Sequence, residues 1–309
     1  MRIYRRPNKA IRNSVITIGS YDGIHRGHQV VIQKTIEIAR KMASRPKAGL
    51  LTFNPIPQQV IYPDFHYILT PLPEKREILT KLGIDFLYLI KFDKQLKSLS
   101  PTDFVKSQIV EPLSPCKIVI GYDHRFGKDG MGDVALLKKL AKEFGFEVIV
   151  VKEKMAAGEP IKSTRIRERL LLGDVKTANR LLGWNYSISG IVGKGQGIGR
   201  LLGFPTCNLK INEIAKLIPV DGVYAVFVWY RGKRYLGVMN IGRRPTFSGD
   251  TRTIETLLLD FKQDLYGARL KVELVDRIRP ERKFPNAFAL SEQIKKDIEQ
   301  AKRILADFK

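Results

Sequence analysis

Short apolar runs alternate with helical patterns through the first half of the chain, and this alternation restricts the fold more than any other feature. Residues 15–19 are typical of a buried strand, a glycine-rich turn follows, and residues 27–44 carry apolar side chains at helical spacing. Further strands are predicted at 49–53, 86–92, 117–121 and 146–151, with helices between them at 74–82, 101–110 and 134–144. Because strands that alternate with helices pair in parallel through right-handed crossovers, the pattern predicts a doubly wound α/β sheet.

The pattern changes after Gly183, where a helical stretch over 164–182 ends. Runs rich in β-branched and aromatic residues follow, separated by glycines, at 186–192, 222–230, 234–241, 252–261 and 268–277. Such runs are typical of an antiparallel β-barrel or sandwich, and helical spacing over 291–308 predicts a terminal helix that packs against it. A chain of 309 residues exceeds one ordinary core, so we predict two domains, 1–183 and 184–309.

The charge of the chain is unusual, since 54 Lys+Arg against 31 Asp+Glu give a net charge of +23. Such a balance attracts polyanions, but the basic residues are spread along the chain, and we expect no specific nucleic-acid partner. The N-terminus lacks the apolar stretch of a signal peptide, and no membrane span is predicted. Cys116 and Cys207 lie far apart, which is typical of free thiols in a cytoplasmic protein.

The turn between the first strand and the first helix contains two of the four histidines, His25 and His28, with Gly27 between them. Gly27 allows a phosphate to approach the backbone, and a helix N-terminus supplies N–H groups and a partial positive charge. Imidazoles can donate hydrogen bonds to phosphoryl oxygens as negative charge develops. One alternative is a pair of surface histidines at a helix cap, and another is a metal pair, for which no third ligand follows at suitable spacing. We predict phosphate binding.

A second glycine-rich segment covers residues 193–200. It is not a Walker loop, because no Gly-Lys-Ser/Thr sequence closes it and a strand is expected to follow. Its N–H groups can face a phosphate, although a plain hairpin is the alternative. Thr206 and Asn208, just beyond it, offer a hydroxyl and an amide oxygen, which are hard donors suited to Mg²⁺ together with nucleotide phosphates.

The pattern Gly-x-x-Asp-Gly-x-His-x-Gly-His over residues 19–28 carries a family resemblance. It resembles the signature of nucleotidyltransferases and, in this full form, that of the bacterial bifunctional riboflavin kinases/FMN adenylyltransferases (FAD synthetases). Other segments match that family in order, and they lie at 52–57, 121–128, 163–167, 199–208, 221–225, 240–246, 254–255 and 264–267. The resemblance covers essentially the whole chain. It implies a Rossmann-like nucleotidyltransferase domain followed by a kinase barrel.

The resemblance also implies the chemistry, with ATP as co-substrate and Mg²⁺ as cofactor. The second domain would phosphorylate riboflavin to FMN, and the first would adenylylate FMN to FAD with release of pyrophosphate. In the first domain the resemblance implies that His25 and His28 are catalytic. The implied ATP- and phosphate-binding residues are Gly19, Tyr21, Asp22, Gly23, Gly27, Ser163, Thr164 and Arg165. The implied nucleotide and flavin pocket consists of Asn54, Asp123, Arg125 and Phe126. In the second domain the implied residues are ATP-binding Gly193, Lys194, Gly195, Gly199 and Arg200, metal-binding Thr206 and Asn208, and Glu255 as general base.

Several further points complete the sequence-based hypothesis. The family often has histidines where this chain has Ile56 and Leu257, and we predict that His124 points to solvent. An RNA-directed protein is a rival interpretation, because aminoacyl-tRNA synthetases share the His-x-Gly-His element, but this chain lacks their Lys-Met-Ser-Lys-Ser element. A second rival keeps only one of the two activities. A weak or transient homo-oligomer is left open.

Overall fold

The computed structural model describes residues 1–309 except 63, 195–197, 212, 214, 247, 248 and 309, and it excludes the side chains of 198, 200, 244–246 and 249–251. Its contacts divide the chain into two compact units, Met1–Ser163 and Thr164–Lys309. Each unit is described by itself.

The first unit is built on a parallel sheet. In the described part of this unit six strands pair in the order β1-β4-β3-β2-β5-β6, every neighbouring pair being parallel. Their bounds are β1 Arg2–Tyr4, β2 Val15–Ile18, β3 Ala48–Phe53, β4 Phe86–Ile90, β5 Lys117–Gly121 and β6 Glu147–Val151. The chain order reverses between β2 and β5, and ligands bind doubly wound sheets beyond the carboxyl ends of the strands at such a point.

Helices cover both faces of this sheet. They are α1 Arg26–Lys41, α2 Pro57–Ile61, α3 Leu72–Leu82, α4 Lys94–Ser98, α5 Pro101–Val105, α6 Glu111–Leu113 and α7 Val134–Phe144, with a π-helical turn at Lys106–Val110. Alternate strand residues point to opposite faces. Val15 packs with Ile32 of α1 and Leu79 of α3. On the other face Ile16 belongs to the core that contains Leu137 of α7.

The second unit begins with two helices and continues as a barrel. A small hairpin, β7 Met155–Ala156 and β8 Glu159–Pro160, precedes these helices. The helices are α8 Ser163–Leu172, α9 Val175–Leu182, α10 Ile198–Leu201 and the terminal α11 Ala287–Ala306. The strands are β9 Ser187–Gly193, β10 Thr206–Lys210, β11 Gly222–Tyr230, β12 Lys233–Thr246, β13 Gly249–Leu258 and β14 Arg269–Arg279. Among the described residues, six strands close an antiparallel barrel in the order β10-β13-β12-β11-β14-β9. The terminal helix α11 packs Ala301 and Leu305 against Phe227 of β11.

The structure confirms the predicted fold class and corrects several elements. The predicted helix over 164–182 is two helices, because Gly173 adopts φ +81° and Asp174 starts α9 by accepting a hydrogen bond from Thr177 N. The predicted helix over 101–110 changes to a π-helical turn at Lys106. The glycine-rich segment ends within the short helix α10, and the expected strand, β10, follows that helix. β1 was not predicted.

Candidate active sites

The two histidines of the first unit form a stacked pair at the start of α1. His25 is the N-cap residue, and its Nδ1 accepts a hydrogen bond from the backbone N–H of His28 at 3.3 Å. The two rings lie 3.6 Å apart between centroids with an interplanar angle of 17°. A Cβ on Gly27 would come within 3.2 Å of the His25 ring, so the glycine leaves room for this arrangement. The helix start and the ring pair therefore occupy one small region.

His28 is held in its neutral form. Burial lowers the pKa of its imidazole well below 6.5, and the neighbouring charges of His25 and Lys75 lower that pKa further. The Nδ1 atom of His28 is buried and has no hydrogen-bond partner among the described residues. A buried polar atom without a partner is costly, so this atom is a candidate contact for a ligand.

Tyr21 supports the histidine pair from the side. Its ring meets the His28 ring edge to face at a centroid distance of 4.9 Å, and its hydroxyl hydrogen-bonds to Thr17. A Cβ on Gly19 would come within 3.1 Å of the Tyr21 ring. Tyr21 and Ile24 both adopt positive φ, +46° and +38°, which is uncommon outside glycine and most unusual for a β-branched residue. Such backbone strain concentrates at functional sites.

Asp22 ties this turn to the rest of the first unit. Its buried carboxylate accepts hydrogen bonds from the backbone N–H groups of Leu69 and Thr70, both at 2.9 Å. Its backbone carbonyl accepts a hydrogen bond from the Ser163 hydroxyl at 2.7 Å. Hydrogen bonds from residues 69–70 and from Ser163 therefore fix the position of the turn. Thr164 and Arg165 follow Ser163 in the first turn of α8 and belong to the second unit.

A cleft of about 600 Å³ lies at the carboxyl ends of the strands of the first unit. Its lining brings together Gly19 and Ser20 after β2, Phe53 at the end of β3, and Asp123, Arg125 and Phe126 after β5. The cleft therefore spans the point where the strand order reverses. Asn54 follows β3 but is exposed and is not part of this lining.

Two other side chains near the cleft differ from their sequence-based expectation. The prediction that His124 points to solvent is wrong, because its ring is partly buried, lines the cleft and stacks with Phe126 at a centroid distance of 6.0 Å. Burial lowers the pKa of His124 to about 4. Ile56, where the family often has histidine, is buried as an apolar residue before α2.

The second unit brings Thr206 and Glu255 together. The Thr206 hydroxyl donates a hydrogen bond to Oε2 of Glu255 at 3.2 Å. Asn208 lies opposite Glu255 on β10, and Asn240 lies opposite it on β12. Side chains directly opposite each other on neighbouring strands share one face of the sheet. Four residues from three strands, β10, β12 and β13, therefore present oxygen atoms on one patch of the barrel.

Two clefts meet at this patch, and Thr206 lines both. One, of about 300 Å³, is lined by Glu255, Leu257, Phe284, Leu290 and Ile294. The other, of about 400 Å³, contains the more polar segment Phe261, Lys262, Gln263 and Asp264. Arg279 and Asp297 form a buried ion pair at 2.8 Å beside the first cleft and join β14 to α11.

The glycine-rich segment before β10 is described only in part. Gly193 ends β9, Lys194 is exposed, and Gly199 lies in α10. A Cβ on Gly199 would come within 2.5 Å of the carbonyl oxygen of Phe204 and 3.0 Å of the Thr206 hydroxyl, so this position requires glycine. Gly195 and the side chain of Arg200, both predicted to bind ATP, lie outside the described residues.

Sequence reasoning missed two residues, Lys75 and Asn240. Lys75 is buried beneath the turn after β2. The signal was available, because Leu72, Lys75, Leu79 and Leu82 follow one another at helical spacing, and a lysine in such an apolar row is unusual. Asn240 needed the register of β12 against β13, which the sequence does not show.

Both halves of the chain are similar to known proteins. Residues 8–165 match the family model for FAD synthetase, and residues 182–305 match the model for riboflavin kinase. The chain is 38% identical to the bifunctional riboflavin kinase/FMN adenylyltransferase of Listeria monocytogenes over 95% of this chain and 93% of that protein. It is 37% identical to the protein of the same name from Escherichia coli over 92% of this chain and 90% of that one.

One solved structure is similar to this chain over nearly its full length. A protein from Streptococcus pneumoniae, described as a macrolide-efflux protein, superposes with a TM-score of 0.88 at 32% identity, covering 97% of this chain and 98% of that one. Within the described ranges no helix has the length and apolar character needed to cross a membrane. No group of three His, Cys, Asp or Glu residues in the described part of the chain is arranged to hold a metal ion.

Proposed function

The chain belongs to the family of bifunctional riboflavin kinases/FMN adenylyltransferases, and from this premise we propose how its residues divide the two reactions. It phosphorylates riboflavin to FMN and adenylylates FMN to FAD, with ATP as co-substrate of both steps. We assign adenylyl transfer to the turn after β2 and phosphoryl transfer to the patch around Glu255. The stacked His25–His28 pair at the start of α1 is the observation that carries the first assignment.

In adenylyl transfer a phosphate oxygen of FMN attacks the α-phosphorus of ATP, and the bond to the leaving pyrophosphate breaks. Such a reaction needs positioning and charge stabilisation more than a protein nucleophile. His28, neutral and with its buried Nδ1 unsatisfied among the described residues, is suited to a hydrogen bond with a phosphate oxygen. The N–H groups at the start of α1 face the same ligand. Asp22 acts indirectly, by holding the turn through Leu69 and Thr70.

In phosphoryl transfer the terminal ribityl hydroxyl of riboflavin attacks the γ-phosphorus of ATP, and ADP leaves. We propose that Glu255 accepts the hydroxyl proton as general base. The Thr206 hydrogen bond orients its carboxylate at the junction of the two clefts. We assign the flavin ring to the cleft with Phe284, Leu290 and Ile294, because its apolar side chains suit a flat aromatic ligand. The more polar cleft then takes the nucleotide.

Mg²⁺ fits the residues of this patch. Thr206 and Asn208 offer a hydroxyl and an amide oxygen beside the carboxylate of Glu255, and hard oxygen donors are the ligands that Mg²⁺ prefers. We propose that Thr206 and Asn208 hold the ion together with ATP phosphates. Bound there, the ion would neutralise charge on the transferred phosphoryl group. Free Cys116 and Cys207 support a reducing, cytoplasmic location.

Replacing His28 tests the adenylyltransferase assignment. We expect His28→Ala to lower FAD formation from FMN by about 10²–10³-fold, the usual cost of losing one stabilising donor. Riboflavin phosphorylation should keep its wild-type rate, because that site lies in the other unit. His66, an exposed histidine of the same unit, provides the matched control His66→Ala. FAD formation by His28→Ala within a few-fold of wild type would exclude the assignment.

A further inference from the structure

Lys75 is a lysine with 3% exposure beneath the turn that follows β2. From the first turn of α3, its Nζ donates a hydrogen bond to the backbone carbonyl of Ser20 at 2.6 Å and a longer one to the Thr52 hydroxyl at 3.4 Å. The Thr52 hydroxyl in turn donates to the same Ser20 carbonyl at 3.0 Å. Lys75 therefore connects α3 to the residues that line the cleft directly after β2.

Burial of this lysine works against folding. An ammonium group loses its hydration when buried, and a cation in the first turn of a helix lies near the positive end of the helix dipole. Burial lowers the pKa of Lys75 to about 8, although the nearby Asp22 raises it. An apolar side chain would continue the row formed by Leu72, Leu79 and Leu82. A charge that is costly here indicates a functional role for it.

We propose that Lys75 is a positioning residue for adenylyl transfer, which holds the Gly19–Ser20 backbone in place and supplies a fixed positive charge beneath the ATP phosphates. This proposal rests on the assignment of those phosphates to His25 and His28. His28 and Lys75 would then interact with the phosphates in different ways. Neutral His28 donates a hydrogen bond, and the positive charge comes from below, out of reach of the solvent that would screen it.

The pH dependence of FAD formation gives a readout that a purely structural role would not change. The titratable groups around Lys75 are Asp22 from the turn, His25 and His28 from α1, and Glu74 beside it on α3. Lys75 carries its charge below about pH 8 and loses it as the pH rises through that value. We therefore expect kcat/KM for ATP in FAD formation, which reports the free enzyme, to fall above about pH 8.

Three variants of the full-length protein test the proposal. Lys75→Met removes the charge, Lys75→Arg keeps it without titrating, and Lys81→Met changes a lysine of the same helix whose side chain is 70% exposed. We expect Lys75→Met to lower FAD formation by about 10²-fold, the scale of a misplaced reacting group. It should also raise the melting temperature in calorimetry at pH 7, because the buried charge is gone while Ser20 keeps its bond from Thr52. Lys75→Arg should retain more activity than Lys75→Met and flatten the alkaline limb, and Lys81→Met should match wild type.

Two results would overturn the proposal. One is FAD formation by Lys75→Met within about threefold of wild type, well short of the change expected for misplacement. The other is a loss of activity accompanied by a lower melting temperature, because lost packing would then explain it. The His28→Ala experiment separates this failure from failure of the proposed function. If His28→Ala is inactive in FAD formation while Lys75→Met is active, the phosphate site stands and only the role of Lys75 is lost.

Discussion

At the scale of single residues, the proposed general base Glu255 allows the sharpest test. Glu255→Gln keeps the length of the side chain and an oxygen that can accept the Thr206 hydrogen bond, but it cannot take up a proton at neutral pH. We expect turnover of riboflavin to fall by about 10²–10⁴-fold, the range for a general base, with little change in riboflavin binding. Single-turnover kinetics with riboflavin and ATP measure this effect.

A matched control uses another strand glutamate of the barrel. Glu273 pairs with Lys271 at 3.3 Å and lines neither of the two clefts at the patch, so Glu273→Gln should leave both activities unchanged. FAD formation from supplied FMN should be normal in Glu255→Gln. Near wild-type turnover of riboflavin by Glu255→Gln would remove the general-base role.

The local position of a residue was easier to predict from the sequence than its long-range contacts. The sequence placed His25 and His28 at a helix start, because a strand, a glycine-rich turn and a helical pattern follow one another there. It did not show that Asp22 bonds to Leu69 and Thr70, since these contacts join segments 47 and 48 residues apart. The apolar row around Lys75 was readable in the sequence, but its bond to Ser20 was not, because Ser20 lies 55 residues away.

At the scale of secondary-structure elements, α9 raises the question of where the kinase domain begins. Asn179 on α9 donates to the carbonyl of Leu274 on β14 at 2.8 Å and accepts from the backbone N–H of Tyr186 at 2.7 Å. Lys176 pairs with Asp276 at 2.9 Å. These contacts join α9 to the barrel, whereas the sequence predicts a boundary between residues 183 and 184.

Two fragments test that boundary. The sequence-based boundary predicts that residues 184–309 fold and phosphorylate riboflavin. The contacts of α9 predict that residues 164–309 have the higher melting temperature, because buried Val175, Leu181 and Leu182 each contribute about 1.5–3 kcal/mol. Both fragments should be unable to form FAD. Equal melting temperatures would show that α9 does not stabilise the barrel.

Elements were predictable where pattern and length agree. β5 and α7 match their predicted bounds and β2 is one residue shorter than predicted, because each is a continuous apolar or amphipathic run with clear end signals. The break in the predicted helix over 164–182 depends on one glycine, Gly173, where a Cβ would come within 2.7 Å of the Arg277 side chain. β1 is only three residues long and shows no alternation, so its place beside β4 follows from tertiary pairing.

At the scale of the whole molecule, the proposed function requires two separate active sites that act in succession. The barrel makes FMN, and the α/β unit consumes it. The rival with one activity predicts that only one of the two products forms. The RNA-directed rival has no support in the family matches, which cover residues 8–165 and 182–305 with flavin-enzyme models.

Mixing two inactivated variants tests this claim most directly. His28→Ala should convert riboflavin to FMN and stop, and Glu255→Gln should convert FMN to FAD but not use riboflavin. Supplied together with riboflavin and Mg·ATP, the two variants should form FAD after a lag, because FMN released by one reaches the other through solution. Chromatographic separation of the flavins over time measures all three species. The proposed function is contradicted if the mixture forms no FAD while each variant keeps its own half-reaction, or if either variant alone converts riboflavin to FAD at the wild-type rate.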